Sequence, residues 1–308
     1  MNYSFYKYAY RTVRNEAITI GFLLAIMYSI NLSTTTCHAG ELHDAVISGH
    51  LTNVKNLIGN KHLSPNALDE KGYSPIYYAL KHRVGREIIS YLIDKKSDLS
   101  WKTPDGYPLI SFFVIHGDSK LLDMALDHGL DPNITIPAGY IQDTPCMGCS
   151  ALHIDAILSR NESTCCTKIL LNHHSNPNVR TYTTLETPLH LAVRHSKMES
   201  VELLLRNGVD PNAMMMYGWT ALHIAIEENN MVAAKSLIKH GANINIQDSE
   251  GNTPLHVALF NGSIKAVRFL VQNGALKNIN NTYNKTPKDY AKGKGMHDIY
   301  EILNNNQQ

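Results

Sequence analysis

Sixteen histidines and five cysteines are the side chains of this 308-residue sequence best suited to chemistry. Histidine titrates near neutral pH and ligates metals through either ring nitrogen, so a cluster of them points to acid–base or metal chemistry. Cys146 and Cys149 form a C-x-x-C pair, and Cys165 and Cys166 are adjacent. Three uses fit those thiols: disulfides stapling the segment that carries them, buried structural thiols, or a zinc site drawing on His153 and His173. Their spacing matches no standard zinc finger. No nucleophile elbow, phosphate-cradling glycine loop or H-E-x-x-H motif is present. The carboxylate pair Glu227–Glu228 reads as solvated charge on a helix face. The expectation is a protein that is not an enzyme and has no cofactor and no resident metal.

Charge narrows the partners. Lys and Arg number 28 against 27 Asp and Glu, and the isoelectric point is near 7.7. A nucleic-acid binder must offset phosphate charge, and this chain carries no such basic surplus.

The elements that must position these residues begin with a targeting segment. Lys7, Arg11 and Arg14 precede an apolar run, Ala17 to Ile30, and a polar stretch ends in Cys37 and Ala39. This order predicts a secretory signal peptide over 1–39, cleaved after Ala39. An uncleaved signal-anchor is the alternative, with the membrane touched only through residues 17–32. In either case everything after residue 40 is exported.

The histidines then acquire an order. TPLHLA at 187–192, TALHIA at 220–225 and TPLHVA at 253–258 place His190, His223 and His256 at steps of 33 residues. Gly208, Gly241 and Gly274 keep the same step. Weaker copies, SPIYYA at 74–79, YPLISF at 107–112 and SALHID at 150–155, extend the pattern toward ELHDA at 41–45 and TPKDYA at 286–291. The period and the T-P-L-H-x-A signature resemble the ankyrin-repeat family. The resemblance implies an all-α repeat solenoid. It would stack about eight 33-residue helix–turn–helix units with β-hairpin loops, degenerate at both ends, over 41–303. An insertion near 134–149 interrupts it, and 304–308 is a polar tail. Thr187 is expected to cap a helix with Pro188 at its first position, and Gly208 to close the next helix in a left-handed conformation. The family uses the motif histidines, here also His43 and His153, in backbone hydrogen bonds that link repeats. His173 and His174 replace the glycine and its predecessor, which puts them at a helix end.

Function follows from the same resemblance: ankyrin stacks bind proteins through hairpin tips and first helices. Where the hairpin after the sixth unit reads Gln247–Asp248–Ser249–Glu250, the preceding one reads Met214–Met215–Met216–Tyr217, followed by Trp219. Exposed apolar side chains of this kind are enriched at binding hot spots. Tyr182, Tyr140, Ile141 and Trp101 lie on other hairpins or in the insertion. Arg194, His195, Glu227 and Glu228 are polar companions on first helices. Some of the rings, Trp219 above all, have the alternative of packing under their own hairpin. Cys146, Cys149, Cys165 and Cys166 are candidates for disulfides. The expected partner is a protein and the expected state a monomer. An export signal on such a stack resembles ankyrin-bearing proteins of host-associated bacteria, which implies a host protein as target. The alternatives are a membrane-anchored or periplasmic scaffold and a redox-sensitive or metal-containing binding protein.

Overall fold

The computed structural model describes residues 40–137, 139–141, 144–158 and 165–304, without the side chains of 140, 141, 144, 145 and 165. The targeting segment 1–39 and the polar tail beyond residue 304 lie outside the described residues. No helix among the described residues is long and apolar enough to cross a membrane.

The chain divides into two compact units, one ending at Asn176 and one beginning at Pro177. The first contains α1 (Glu41–Ile47), α2 (Leu51–Gly59), α3 (Pro75–Lys81), α4 (Arg86–Asp94), α5 (Leu109–His116), α6 (Ser119–Asp127), α7 (Ala151–Ile157) and α8 (Cys165–Asn172). The second contains α9 (Pro188–Arg194), α10 (Met198–Arg206), α11 (Ala221–Glu227), α12 (Met231–Lys239), α13 (Pro254–Phe260), α14 (Ile264–Gln272), α15 (Pro287–Gly293) and α16 (His297–Asn304). Each odd-numbered helix packs on the even-numbered one that follows and on the odd-numbered helix of the next repeat within its unit.

Helix starts follow from the motif. The Thr187 N–H donates to His190 Nδ1 at 3.1 Å, and the Thr187 hydroxyl meets the same nitrogen at 2.8 Å. Thr220 with His223 and Thr253 with His256 repeat this arrangement, and Ser150 with His153 does so in the first unit. Each pair closes a capping box that satisfies helix donors which have no partner within the helix. The opposite nitrogen links repeats. His223 Nε2 donates to the Asn252 carbonyl at 3.3 Å, His256 Nε2 to that of Lys285 at 3.1 Å, and His43 Nε2 to that of Tyr73 at 3.1 Å.

Where the histidine is replaced, packing does the work. Tyr77 is buried and stacks on Tyr73 with centroids 4.7 Å apart, and it meets Phe112 edge-on at 5.1 Å and Trp101 at 5.6 Å. Second helices bury one stripe: Val201, Leu204 and Leu205 on α10, Ala233, Ala234 and Leu237 on α12, Ala266, Val267 and Leu270 on α14. That is the spacing of three and four residues that places side chains on one helical face. Gly208, Gly241 and Gly274 close these helices at φ of 76°, 91° and 91°, a region costly for residues with a Cβ. His174 takes the same role at φ 60°, at the helix end where the sequence places it.

Strand pairing within named strands is confined, among the described residues, to the insertion, where β1 (Tyr140–Ile141) pairs antiparallel with β2 (Thr144–Pro145). The fingers between repeats are tight turns. Asp248 N donates to the Asn252 carbonyl at 2.9 Å, while Asp248 Oδ1 accepts from Glu250 N and Asn252 N at 2.9 and 2.8 Å. Asn281 does the same one repeat later.

Candidate functional site

The second unit aligns its fingers backbone to backbone. Met216 N donates to the Thr184 carbonyl at 2.8 Å, Ser249 N to that of Tyr217 at 2.9 Å, and Thr282 N to that of Glu250 at 2.8 Å. Side chains on this row therefore form one continuous surface from residue 182 to residue 283. Tyr182 is 64% exposed, Leu185 44%, Met214 41%, Met216 40% and Tyr217 44%. Arg180 reaches across to the Met214 carbonyl.

Met215 departs from the expectation: it is only 7% exposed. The finger is extended there, so alternate side chains point to opposite sides. Met214 and Met216 face out and Met215 faces in. Position 215 corresponds to Asp248 and Asn281, which turn inward to hold their own loops. Methionine has no oxygen to accept those N–H groups. The finger keeps the closing bond of its neighbours, Met215 N to the Trp219 carbonyl at 2.7 Å, but replaces the side-chain cap with a 3₁₀ turn over Met216–Gly218, with Tyr217 at φ 64°.

Beneath it lies an ion pair that the sequence did not reveal. Arg194 Nη2 lies 2.5 Å from Glu186 Oε1 and 3.7 Å from Met215 Sδ. Thr184 donates its hydroxyl to Glu186 Oε2 at 2.7 Å. Burial by itself would raise the Glu186 carboxyl, but the Arg194 guanidinium and the Thr184 hydroxyl hold it below the usual range. Arg194 thus holds up the finger from below and is not an exposed companion on its face. Glu186 occupies the position just before the helix cap, where a buried carboxylate requires a cation; Arg194, eight residues on, was the signal available.

The other expected site residues divide as follows. Trp219 is half-buried, its ring 5.9 Å from that of His223. Glu227 accepts from the Asn261 amide at 2.9 Å, His195 is half-buried, and Glu228 is exposed. Trp101 belongs to the first unit, where it is half-buried against Tyr73 and Tyr77 and so packs within its own repeats. Tyr140 and Ile141 stand on β1 of the insertion, and their side chains lie outside the described residues.

Among the uses open to the cysteines, the C-x-x-C pair takes the disulfide. Cys146 and Cys149 are bonded to one another, and both are buried. Backbone bonds frame the ring: Cys146 N to the Gly139 carbonyl at 2.7 Å, and Ile136 N to that of Cys149 at 2.8 Å. Cys166 is a buried thiol outside any disulfide; the Cys165 side chain lies outside the described residues. The bridge takes the C-x-x-C pair away from a zinc ligand set. No group of three metal-ligating side chains among the described residues is arranged to hold an ion. His173 is engaged with Asp123 at 2.8 Å.

A family model for ankyrin repeats in three copies matches residues 114–215, 213–283 and 231–307, and one for ankyrin repeats in many copies matches 42–99. The chain belongs to the ankyrin-repeat family, and its repeats are those of a protein–protein interaction module. A putative ankyrin repeat protein of fowlpox virus (strain NVSL) is 34% identical over 113 residues, covering 37% of this chain. The match spans 17% of that relative's length. Among solved structures, the ankyrin repeat domain of Bcl-3, a member of the IkappaB protein family, matches with a TM-score of 0.57 and 24% identity. The match covers 87% of this chain and 100% of that one, and the likeness is one of fold.

Proposed function

We propose that this chain is an exported binding module whose second unit captures a partner protein through its finger tips. The observation that carries the reading is the exposed row Tyr182, Met214, Met216 and Tyr217, standing where the next finger presents Gln247 and Ser249. Leaving such side chains in water is unfavourable, and contiguous apolar patches of this kind mark interaction sites. Export is supported by the basic head and apolar run of the first 39 residues. A bridged, buried C-x-x-C suits an oxidising compartment. A protein of a host cell is the partner class this reading takes, by likeness to exported ankyrin proteins of host-associated bacteria.

The test is capture from eukaryotic lysate with the full chain beside a Met214→Ser/Met216→Ser/Tyr217→Ser variant. These side chains are surface-exposed, so the variant should keep the helical circular dichroism of the parent. Retention should fall at least about tenfold, as truncating hot-spot side chains does. Equal retention by both would remove the finger tips as the site. Export is read separately from the N-terminus of the protein recovered outside the producing cell, expected at Gly40.

A further inference from the structure

Two of the exposed apolar residues are held in backbone conformations that they disfavour. Leu185 lies at φ 56° and Tyr217 at φ 64°. The position of Leu185 is filled one, two and three repeats later by Gly218, Gly251 and Asn284, also at positive φ. A residue with a Cβ disfavours this conformation. Leu185 remains 44% exposed, so burial within the unit returns little of that cost. Strained non-glycine residues occur at ligand clamps among other functional sites, and of those among the described residues Leu185 and Tyr217 are the two that are exposed and apolar.

The charges around the patch are lopsided. Arg194, the base on the first helix beneath, is matched by Glu186 at 2.5 Å. Glu250, on the finger joined to Tyr217 through Ser249, accepts from the Tyr283 hydroxyl at 3.2 Å and the Asn252 amide at 3.3 Å, neither of them a cation. Glu228 is exposed just past the end of the seven-residue α11, about 10 Å along the helix. Arg180, on the Met214 carbonyl, stands against these two carboxylates. Of the lysines in this unit's last repeat, Lys285 stands on the finger one repeat beyond Glu250, and Lys294 reaches the Phe260 ring, one repeat beyond the end of α11, at 5.8 Å.

Resting on the reading that the finger tips bind a protein, we propose that the occupant is a linear segment of that partner. Its apolar side chains seat on Leu185, Met214, Met216 and Tyr217, and flanking Lys or Arg side chains face Glu228 and Glu250. The apolar anchors supply affinity, and the carboxylates select sign and speed encounter.

The experiment presents the full chain with three synthetic pools of short random peptides. Each pool has an apolar centre, with basic flanks in one, acidic flanks in the second and serine flanks in the third. The basic pool should be retained at least about tenfold over the acidic pool, with the margin shrinking as salt rises. Glu228→Lys/Glu250→Lys should erase or reverse that order. Leu185→Gly relieves backbone strain; with its helical circular dichroism unchanged, a loss of retention is expected, and unchanged retention would remove Leu185 from the site. Equal retention of basic and acidic pools, lost in Met216→Ser/Tyr217→Ser, would overturn the basic partner while leaving the finger-tip site standing. Retention untouched by Met216→Ser/Tyr217→Ser would overturn both readings. Retention of no pool would overturn a linear segment as the occupant, and the lysate capture would then decide the finger-tip site by itself.

Discussion

Cys146 and Cys149 are three residues apart in sequence, and a bridge over so short a loop removes little freedom from the unfolded chain. Loop-closure entropy puts its contribution at roughly 2 kcal/mol, against nearly 5 for a loop of a hundred residues. Cys146→Ser/Cys149→Ser is therefore expected to lower stability by about 2 kcal/mol in urea denaturation. The helical spectrum should remain, because the bonds framing Ile136, Gly139 and Cys149 are made by the main chain. A loss of the whole fold would show that the bridge holds more than its own loop. Sequence spacing left this pairing open, since a C-x-x-C can close on itself or reach a distant thiol. The choice was made by main-chain pairing of Ile136 with Cys149 and by Gly148 at φ 75°, neither of which leaves a signature in composition.

At the scale of the finger, the repeat period made nearly everything legible and one thing invisible. Thr–Pro caps, glycine closures and histidine links recur every 33 residues, so one repeat explains the rest. The Met triplet was harder, because hydrophobicity alone does not say which of three adjacent methionines turns inward. Aligning Met215 with Asp248 and Asn281 supplies the answer, since both partners face inward to cap their turns. The buried Glu186–Arg194 pair was missed for a related reason: it stands in a repeat whose neighbours place other residues there. Close stacking of fingers also separates two kinds of glycine. A Cβ on Gly208 would meet nothing within 4 Å, so Gly208→Ala incurs only its unfavourable φ, about 1 kcal/mol. A Cβ on Gly251 would sit 3.0 Å from Asn281 Cα and 3.0 Å from Thr282 N, and both are backbone. Gly251→Ala is expected to cost about 2–4 kcal/mol, strain and overpacking together. Thermal unfolding of the two variants checks this; equal losses would mean that the fingers slide apart without cost.

Summed over the second unit, the capping histidines make a single acid-sensitive array. Burial pushes His190 and His223 down to about 4. For His190, the Glu186 carboxylate opposes that shift and Arg194 adds to it; for His223, the Asn252 carbonyl opposes it. Burial also lowers His256. In each capping box Nδ1 accepts the N–H of the capping residue, so a proton placed there removes the cap. An unfolded histidine titrates near 6.5. Above that pH both states are neutral and stability is complete; below it the unfolded chain binds protons that the folded array refuses. Stability must therefore fall with pH between about 6.5 and 4, by roughly 1.4 kcal/mol per pH unit for each histidine and about 3 for His190 and His223 together. Glu186, depressed from 4.5, adds a loss of the same sign below that window. Asp248, raised from 3.8 by burial, acts oppositely at its lower edge. A domain stable by 5–15 kcal/mol is exhausted quickly at that slope. Acid unfolding followed by circular dichroism should accordingly set in well above pH 4. His223→Gln keeps an acceptor and a donor but cannot titrate; it lowers stability at pH 7 while flattening the slope by about 1.4 kcal/mol per pH unit. Parallel pH profiles for parent and variant would place the acid sensitivity elsewhere. Because at His223 and His256 the cap and the link between repeats use one imidazole, protonating it loosens a helix start and a repeat interface in the same event.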